Sequence, residues 1–235
     1  MSRPLAILVL LATLAFALST VVSQNFAGYP PDLFPVPQTD PPVQPAGWAF
    51  SIWGVIYLWL LASAGFGLLR RAQDADWTPA RLPLLGSLAI GAFWLEVAGR
   101  APVWATAMIL AMLLLAVLAF LRAPRRDRAW LELPLGLYAG WLTAASGVSA
   151  GIVAAGFGIL TAQVAAIAAL MAILAVALAV QRLRPAGVTY PLGVLWALAG
   201  VIGASLSPAN GTLLALAALG CLLLAARVIL SMTRS

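Results

Sequence analysis

The sequence predicts an all-α integral membrane protein with about eight transmembrane helices, and three observations carry that prediction. The 235 residues are 63% hydrophobic and only 9% charged, with a mean hydropathy of +1.03, a balance foreign to soluble domains. The apolar runs 5–22, 47–69, 82–98, 103–121, 131–152, 159–181, 190–206 and 211–230 each approach the roughly 20 residues that cross about 30 Å of hydrocarbon. Twelve of the 13 Arg residues fall on one side of the alternating runs, and the chain has no Lys and no His.

That asymmetry predicts an orientation. Arg3, Arg70, Arg71, Arg81, Arg122, Arg125, Arg126, Arg128, Arg182, Arg184, Arg227 and Arg234 share one side, and Arg100 alone takes the other. Cytoplasmic loops retain positive charge, so both termini are expected in the cytoplasm, with a bacterial inner membrane as the expected location. The pI near 10.7 does not argue for nucleic acid, because the Arg residues occupy short loops beside apolar helices and form no basic stripe. Their expected partners are anionic lipid headgroups. Cys221 is the one cysteine and lies inside the last run, which excludes a disulfide framework. The absence of His removes the commonest general base and metal ligand. No obligatory cofactor and no enzymatic activity are therefore expected.

Taken in order, Met1-Ser2-Arg3 and the run to Leu18 resemble a signal peptide, but apolar character continues to Val22. A retained first helix is the expectation. Segment 23–46 is the one long loop and is assigned to the outside. It holds seven prolines (Pro30, Pro31, Pro35, Pro37, Pro41, Pro42 and Pro45), two Asp and no Arg. Proline fixes φ and disfavours helix in the residue before it, so the loop should be extended and stiff. Its apolar members Phe26, Tyr29, Leu33 and Phe34 predict that it folds back over the bundle. The outer connections near 99–102, 153–158 and 207–210 are short, which makes sequential helices antiparallel neighbours. The inner loops 70–81 and 122–130 mix Arg with Asp74, Asp76 and Asp127 and read as solvated, orienting loops. Glu132 reads as a solvated helix-end residue near Arg128.

Small residues predict which helices pack closely. Gly136, Gly140 and Ala144, then Gly147 and Gly151, line helix 5, and Gly193, Ala197 and Gly200 line helix 7. In lipid such ridges let backbones approach, so both helices should be interior. The loop Val153–Gly158 suggests a boundary. Before it, residues 1–152 hold nearly all the Trp, with the Pro-rich outer loop. After it, residues 153–235 are expected to form three additional helices dominated by Ala, Leu, Val and Gly, with Trp196 the only Trp.

The informative local stretch is Pro45-Ala-Gly-Trp48-Ala-Phe50-Ser-Ile-Trp53-Gly-Val-Ile-Tyr57. Phe50, Trp53 and Tyr57 follow i, i+3, i+7 spacing, which puts them on one helix face, with Trp48 at the outer end. At 1.5 Å per residue, Trp53 lies roughly 7 Å outward of its helix midpoint and Tyr57 near it. Trp94 lies about 6 Å outward and Trp141 close to the centre. The headgroup-level aromatic belt accounts for Trp104, Trp130 and Trp48 at helix ends, whereas Trp53, Trp94 and Trp141 are too deep for it. Such residues form either plain core or a ligand pocket. Glu96, the one acid well inside a run, pairs most simply with Arg100 at i+4. Asn210-Gly-Thr212 matches a glycosylation sequon but reads better as a helix cap.

These residues resemble the tryptophan-rich sensory protein family (TspO, the translocator protein or peripheral-type benzodiazepine receptor). The signature there is a Pro-rich lead into helix 2, then Gly-Trp-x-Phe, a second Trp and a Tyr four residues on, matched by Gly47-Trp48-Ala49-Phe50, Trp53 and Tyr57. Trp94 matches a Trp late in helix 3, and Leu133-Pro134 through Tyr138 and Trp141 match the entry to helix 5. The resemblance covers roughly residues 5–152. Three departures stand out. Only Ser51 and Ile52 separate Phe50 from Trp53, one residue fewer than usual, a rotation of about 100°. Gly91 and Ser149 stand where the family often carries Asn. Three helices follow a core that has five, as in a longer subgroup that this chain resembles most. The resemblance implies a five-helix TspO-like bundle plus three appended helices, with an outer-half cavity for porphyrins and similar flat hydrophobic molecules. Trp48, Phe50, Trp53, Tyr57, Trp94, Tyr138 and Trp141 would be its ligand-binding residues: Trp53 and Trp141 stack on the ring, Tyr57 adds a hydroxyl, and Trp48 and Phe50 form the mouth. A receptor or binding protein with a regulatory or transport role is the leading expectation, and a small-molecule membrane transporter is the alternative. The appended helices would cover a surface that short relatives use to dimerise, which predicts a monomer, although the sequence itself leaves the oligomeric state open.

Overall fold

The computed structural model describes residues 2–22 and 28–232, so Phe26 and Arg234 lie outside the described residues. Eight helices follow one another: α1 (Ser2–Val22), α2 (Ile52–Arg71), α3 (Thr78–Ala98), α4 (Pro102–Arg122), α5 (Glu132–Gly156), α6 (Ala162–Leu183), α7 (Thr189–Ala204) and α8 (Gly211–Met232). Among the described residues, seven helical spans are long and apolar enough to cross a membrane. The exception is α7, whose 16 residues cover only about 24 Å. It still runs between both ends of the bundle. Thr189 Oγ1 donates to the Leu133 carbonyl at one end, and the Gly200 carbonyl accepts from Ala46 N–H toward the other. The chain is an all-α integral membrane protein.

Local chemistry explains several ends. Pro79 and Pro102 sit in the first turns of α3 and α4, where a missing N–H costs nothing. Thr161 caps α6 by accepting from Val164 N–H. Asn210 caps α8 by accepting from Leu213 N–H, the role read from the sequence in preference to glycosylation. Two boundaries differ from the sequence reading. Residues Gly47–Ser51 form a 3-10 turn ahead of α2, so Phe50 precedes the helix proper. Helix α5 continues through Val153–Gly156, and the expected boundary at 152/153 falls inside it. Nothing in Val-Ala-Ala breaks a helix; Gly158, at φ +70°, is what turns the chain.

Helices α2, α1, α3, α4 and α5 close into a ring in that order, with α5 returning to α2. Helices α6 and α7 dock on α5, and α8 packs across both. Two small-residue ridges make α5 the hub. Gly136 and Gly140 face α7, where a β-carbon on Gly140 would collide with the Tyr190 carbonyl oxygen. Gly147 and Gly151 face Ile173 and Ala169 of α6. From the other side, a β-carbon on Gly193 would stand 2.7 Å from the Trp141 amide nitrogen. Helices 5 and 7 are thus interior at these ridges, as their small residues predict.

The Arg-rich end is more ordered than a set of solvated loops. Asp127, at φ +57°, accepts from Arg71 Nε at 2.7 Å and from Trp77 Nε1 at 3.2 Å. The Arg71 hydrogen bond holds its carboxyl below the usual range, with burial opposing. Arg81 is 3% exposed and donates to the carbonyls of Gly67, Arg71 and Ala72 at the C-terminal end of α2. Glu132, expected to be solvated, is 1% exposed and lies 3.2 Å from Arg128 and 3.3 Å from Arg184. Arg184 also donates to the carbonyls of Phe120, Leu121 and Ala123. A helix end inside lipid must find such partners for its last carbonyls. At the opposite, Arg-poor end, Glu96 pairs with Arg100 and both are exposed.

Two outcomes are expected. Gly140→Ala should cost about 1–3 kcal/mol by overpacking, read as a lowered unfolding temperature in detergent, and an unchanged temperature would contradict the close α5–α7 approach. Because the folded pKa of Asp127 lies below its unfolded value, its contribution is complete above the unfolded carboxyl range and lost as pH falls through the folded one. Wild-type unfolding temperature should therefore drop more steeply below about pH 4 than that of Asp127→Asn.

Candidate functional site

The Pro-rich loop folds back over the Arg-poor end, as its apolar residues predict. Tyr29, Phe34 and Val43 are buried. Val36 N–H donates to the Gly156 carbonyl at 2.9 Å, and Ala46 N–H to that of Gly200 at 3.0 Å. The Tyr29 hydroxyl lies 2.6 Å from Ser149 Oγ, which lies 2.6 Å from Thr106 Oγ1. Thr106 in turn donates to the Pro102 carbonyl. Burial pushes the Tyr29 phenol above its ordinary pKa, with the hydrogen bonds to Ser149 and Thr106 pulling the other way. It remains a neutral O–H at the junction of loop, α4 and α5.

Beneath the loop lies a cavity of about 50 Å³ lined by Phe50, Trp94, Trp141, Tyr29, Ser149, Ile109 and other apolar residues. Trp94 donates its indole N–H to the Ala105 carbonyl at 2.9 Å, which fixes its ring against α4. Trp141 is 2% exposed, and its Nε1 has no hydrogen-bond partner among the described residues. A buried donor left unpaired is costly, and it belongs to a residue that lines the cavity. Its ring meets Phe50 and Trp53 edge-on, both at centroid distances of 6.0 Å.

The other expected residues occupy different positions. Trp53 stacks on Tyr57 at 5.3 Å, and neither lines the cavity. Tyr138 is fully buried below them, 2.9 Å from Ser87 Oγ. Phe16 of α1 joins them, in ring contact with Trp53, Tyr57 and Tyr138 at 5.8, 5.0 and 5.9 Å. Trp48 is half exposed on the far side of the 3-10 turn, edge-on to Trp196 at 5.3 Å. The seven residues therefore divide three ways. Phe50, Trp94 and Trp141 line the cavity; Trp53, Tyr57 and Tyr138 form a packed aromatic wall behind Trp141; and Trp48 faces α7.

Sequence reasoning missed Phe16, Ser149 as an anchor, and Tyr29 as more than an apolar loop residue. Phe16 had a signal: it shares the buried Ala6, Val9, Thr13 face of α1 at helical spacing. Its partner surface is Gly91, where a β-carbon would stand 2.7 Å from the Phe16 ring. Ser149 is small enough to let the Tyr29 hydroxyl enter.

Tyr29→Phe should cost about 0.5–1.5 kcal/mol of loop anchoring. Limited proteolysis of the 28–46 segment should accelerate while the α-helical circular dichroism stays unchanged. Equal cleavage rates would remove Tyr29 as the loop's anchor.

Comparison with known proteins places this arrangement in a family. No curated protein and no solved structure matches the chain. A family model described as TSPO-like protein matches residues 6–231, from the first helix into the last, so the appended helices lie within the matched pattern. The five-helix ring under a Pro-rich loop, with its aromatic centre, and this nearly full-length match carry one conclusion: the chain belongs to the TSPO-like protein family.

Proposed function

We propose that the protein is a non-enzymatic membrane receptor that binds flat hydrophobic molecules such as porphyrins between the Pro-rich loop and Trp141. The observation that carries this reading is the buried Trp141, its indole N–H unpartnered among the described residues, lining an apolar cavity walled by Phe50 and Trp94. Flat aromatic ligands gain from offset stacking and edge contacts, and apolar pockets with few polar groups are the usual small-molecule sites. As closed, about 50 Å³ is far below the roughly 300 Å³ of the smallest ligand pockets. Occupancy therefore requires the loop to lift, and Tyr29, Val36 and Ala46 are its fastenings. In this reading a regulatory or transport consequence follows from loop movement. Transport is the less supported version, because Phe16, Tyr57 and Tyr138 fill the bundle behind the cavity. With 12 Arg on one side, the same proposal puts both termini in the cytoplasm of a bacterial inner membrane and the loop outside.

Titration of purified protein with protoporphyrin, followed by Trp fluorescence quenching, tests the reading. Saturable quenching is expected, weakened about tenfold by Trp141→Phe, equivalent to about 1.4 kcal/mol. Trp53→Phe should weaken it less, because Trp53 acts through Trp141. Tyr29→Phe should speed association by releasing the loop. Absence of saturable binding, or indifference to Trp141→Phe, would overturn the proposal.

A further inference from the structure

A second, larger cavity opens at the Arg-poor end, between the Pro-rich loop and the α7–α8 connection. Its volume is about 640 Å³, within the range of small-molecule sites. Loop residues within 40–47 form one wall and residues within 204–211 the other. Gln44 and Pro45 line both this cleft and the cavity beside Trp141.

One face of α7 runs from the cavity to the cleft. Ala197 lines the former and Ala204 the latter. They stand seven residues apart on one side of the helix, with Gly200 between them, a rise of about 10 Å. Pro45 sits across this track. A β-carbon on Gly200 would stand 2.9 Å from the Pro45 β-carbon, and the Gly200 carbonyl accepts from Ala46 N–H. Gln44 fills the space beside it. Its amide end packs on Gly28, at φ +133°, where a β-carbon would stand 2.7 Å from Gln44 Oε1. The partition is therefore two residues, a buried proline pinned to α7 and a half-buried glutamine. The stretch they belong to lies between the fastenings at Val36 and Ala46 and holds largely to itself. Gln44 N–H donates to the Pro41 carbonyl, and Pro37, Pro41, Pro42 and Pro45 bring no N–H to tie to the bundle. The far side of the cleft is roomy. Gly47 and Gly211 line it, and a β-carbon on either would meet nothing within 4 Å.

We propose that the cleft is the antechamber of the Trp141 site. A flat hydrophobic ligand enters it from the outer aqueous side and rests against the α7–α8 connection. It then passes along the Ala204–Gly200–Ala197 face when Gln44 and Pro45 give way. The inference rests on the ligand-binding reading above and adds the route to it. It also gives the appended helices a role, because α7 supplies the track and the α7–α8 connection the outer wall. A side chain on such a route belongs to neither the free nor the bound end state. It raises or lowers the barrier between them, so association and dissociation change by the same factor and their ratio, the affinity, does not.

Stopped-flow mixing of protoporphyrin with the full chain in nanodiscs, read by Trp quenching, tests the route. Gly211→Phe fills the cleft from one wall and Gly47→Phe from the other. Each should slow association and dissociation alike, by about fivefold, with affinity kept within about twofold of wild type. Gln44→Ala thins the partition and should speed both steps. Gly54→Phe is the control for entry from lipid. Gly54 is exposed on α2, where a β-carbon also meets nothing within 4 Å, and its substitution should leave both rates unchanged. Unfolding temperatures matched to wild type establish that the rates report the path and not the fold. Saturable binding with rates indifferent to both Gly211→Phe and Gly47→Phe would overturn the route and leave the binding reading standing. Slowing by Gly54→Phe alone would overturn it in favour of entry from lipid. An affinity loss in Gly211→Phe carried by faster dissociation would overturn it by placing the cleft inside the bound site. Absence of saturable binding to wild type would overturn the binding reading and the route together.

Discussion

The contact between α5 and α7 is the constraint on which the rest depends. At Gly140 and Gly193 the two backbones approach so closely that a methyl group on either would meet main-chain atoms of the other. In lipid there is no water to drive apolar surfaces together, so association rests on this kind of van der Waals closeness. The contact also sits directly on the site, because the atom nearest a Gly193 β-carbon is the amide nitrogen of Trp141. The depth and direction of the Trp141 ring are thus set by a packing ridge rather than by any polar interaction. With α6 held against the second ridge, α5 becomes a fixed post around which ring and cover are arranged.

The two ends of the bundle solve the backbone problem differently. At the Arg-rich end, guanidinium groups reach into the structure. Arg81 satisfies the last carbonyls of α2, and Arg184 those of α4 while pairing with the buried Glu132. A planar guanidinium with five donors suits this task better than an ammonium, consistent with a chain that uses Arg and no Lys. Arg184 joins the ends of α4, α5 and α6, and so ties the appended helices to the ring by polar contacts as well as by packing. At the Arg-poor end the work is done by a loop without Arg. Prolines keep it extended, and three main-chain or hydroxyl fastenings hold it down.

Those fastenings give the loop its place in the proposed function. The hydroxyls of Tyr29, Ser149 and Thr106 meet in an otherwise apolar zone, and a closed loop leaves only a small void above Trp141. In the proposed function, such a site gates access through the stability of its cover, since binding affinity is reduced by the fraction of time the competent state is absent. Gln44 and Pro45 belong to that cover and face the outer cleft as well. The same few residues therefore bound both openings at this end of the protein.

The sequence by itself determined the membrane class, the eight helices and the interior character of α5 and α7. It did so because lipid imposes a length and a polarity on every crossing segment, and because small residues at four-residue spacing carry one clear meaning there. It also made the deep aromatics legible as something other than a headgroup belt, and the Glu96–Arg100 pair and the Asn210 cap as local spacings. Tertiary structure decided the rest. Phe50 and Trp53 both meet the Trp141 ring, but only Phe50 lines the cavity, because the chain enters α2 through a 3-10 turn whose lead residue Ala46 is held by the Gly200 carbonyl. Trp48 turned toward Trp196, a residue nearly 150 positions away in sequence. Glu132 became buried because Arg184, supplied by the end of α6, is there to meet it. Phe16 entered the aromatic centre because Gly91 leaves room for its ring. Each of these outcomes depends on what stands across a gap between distant helices, and neither periodicity nor spacing within one helix records that.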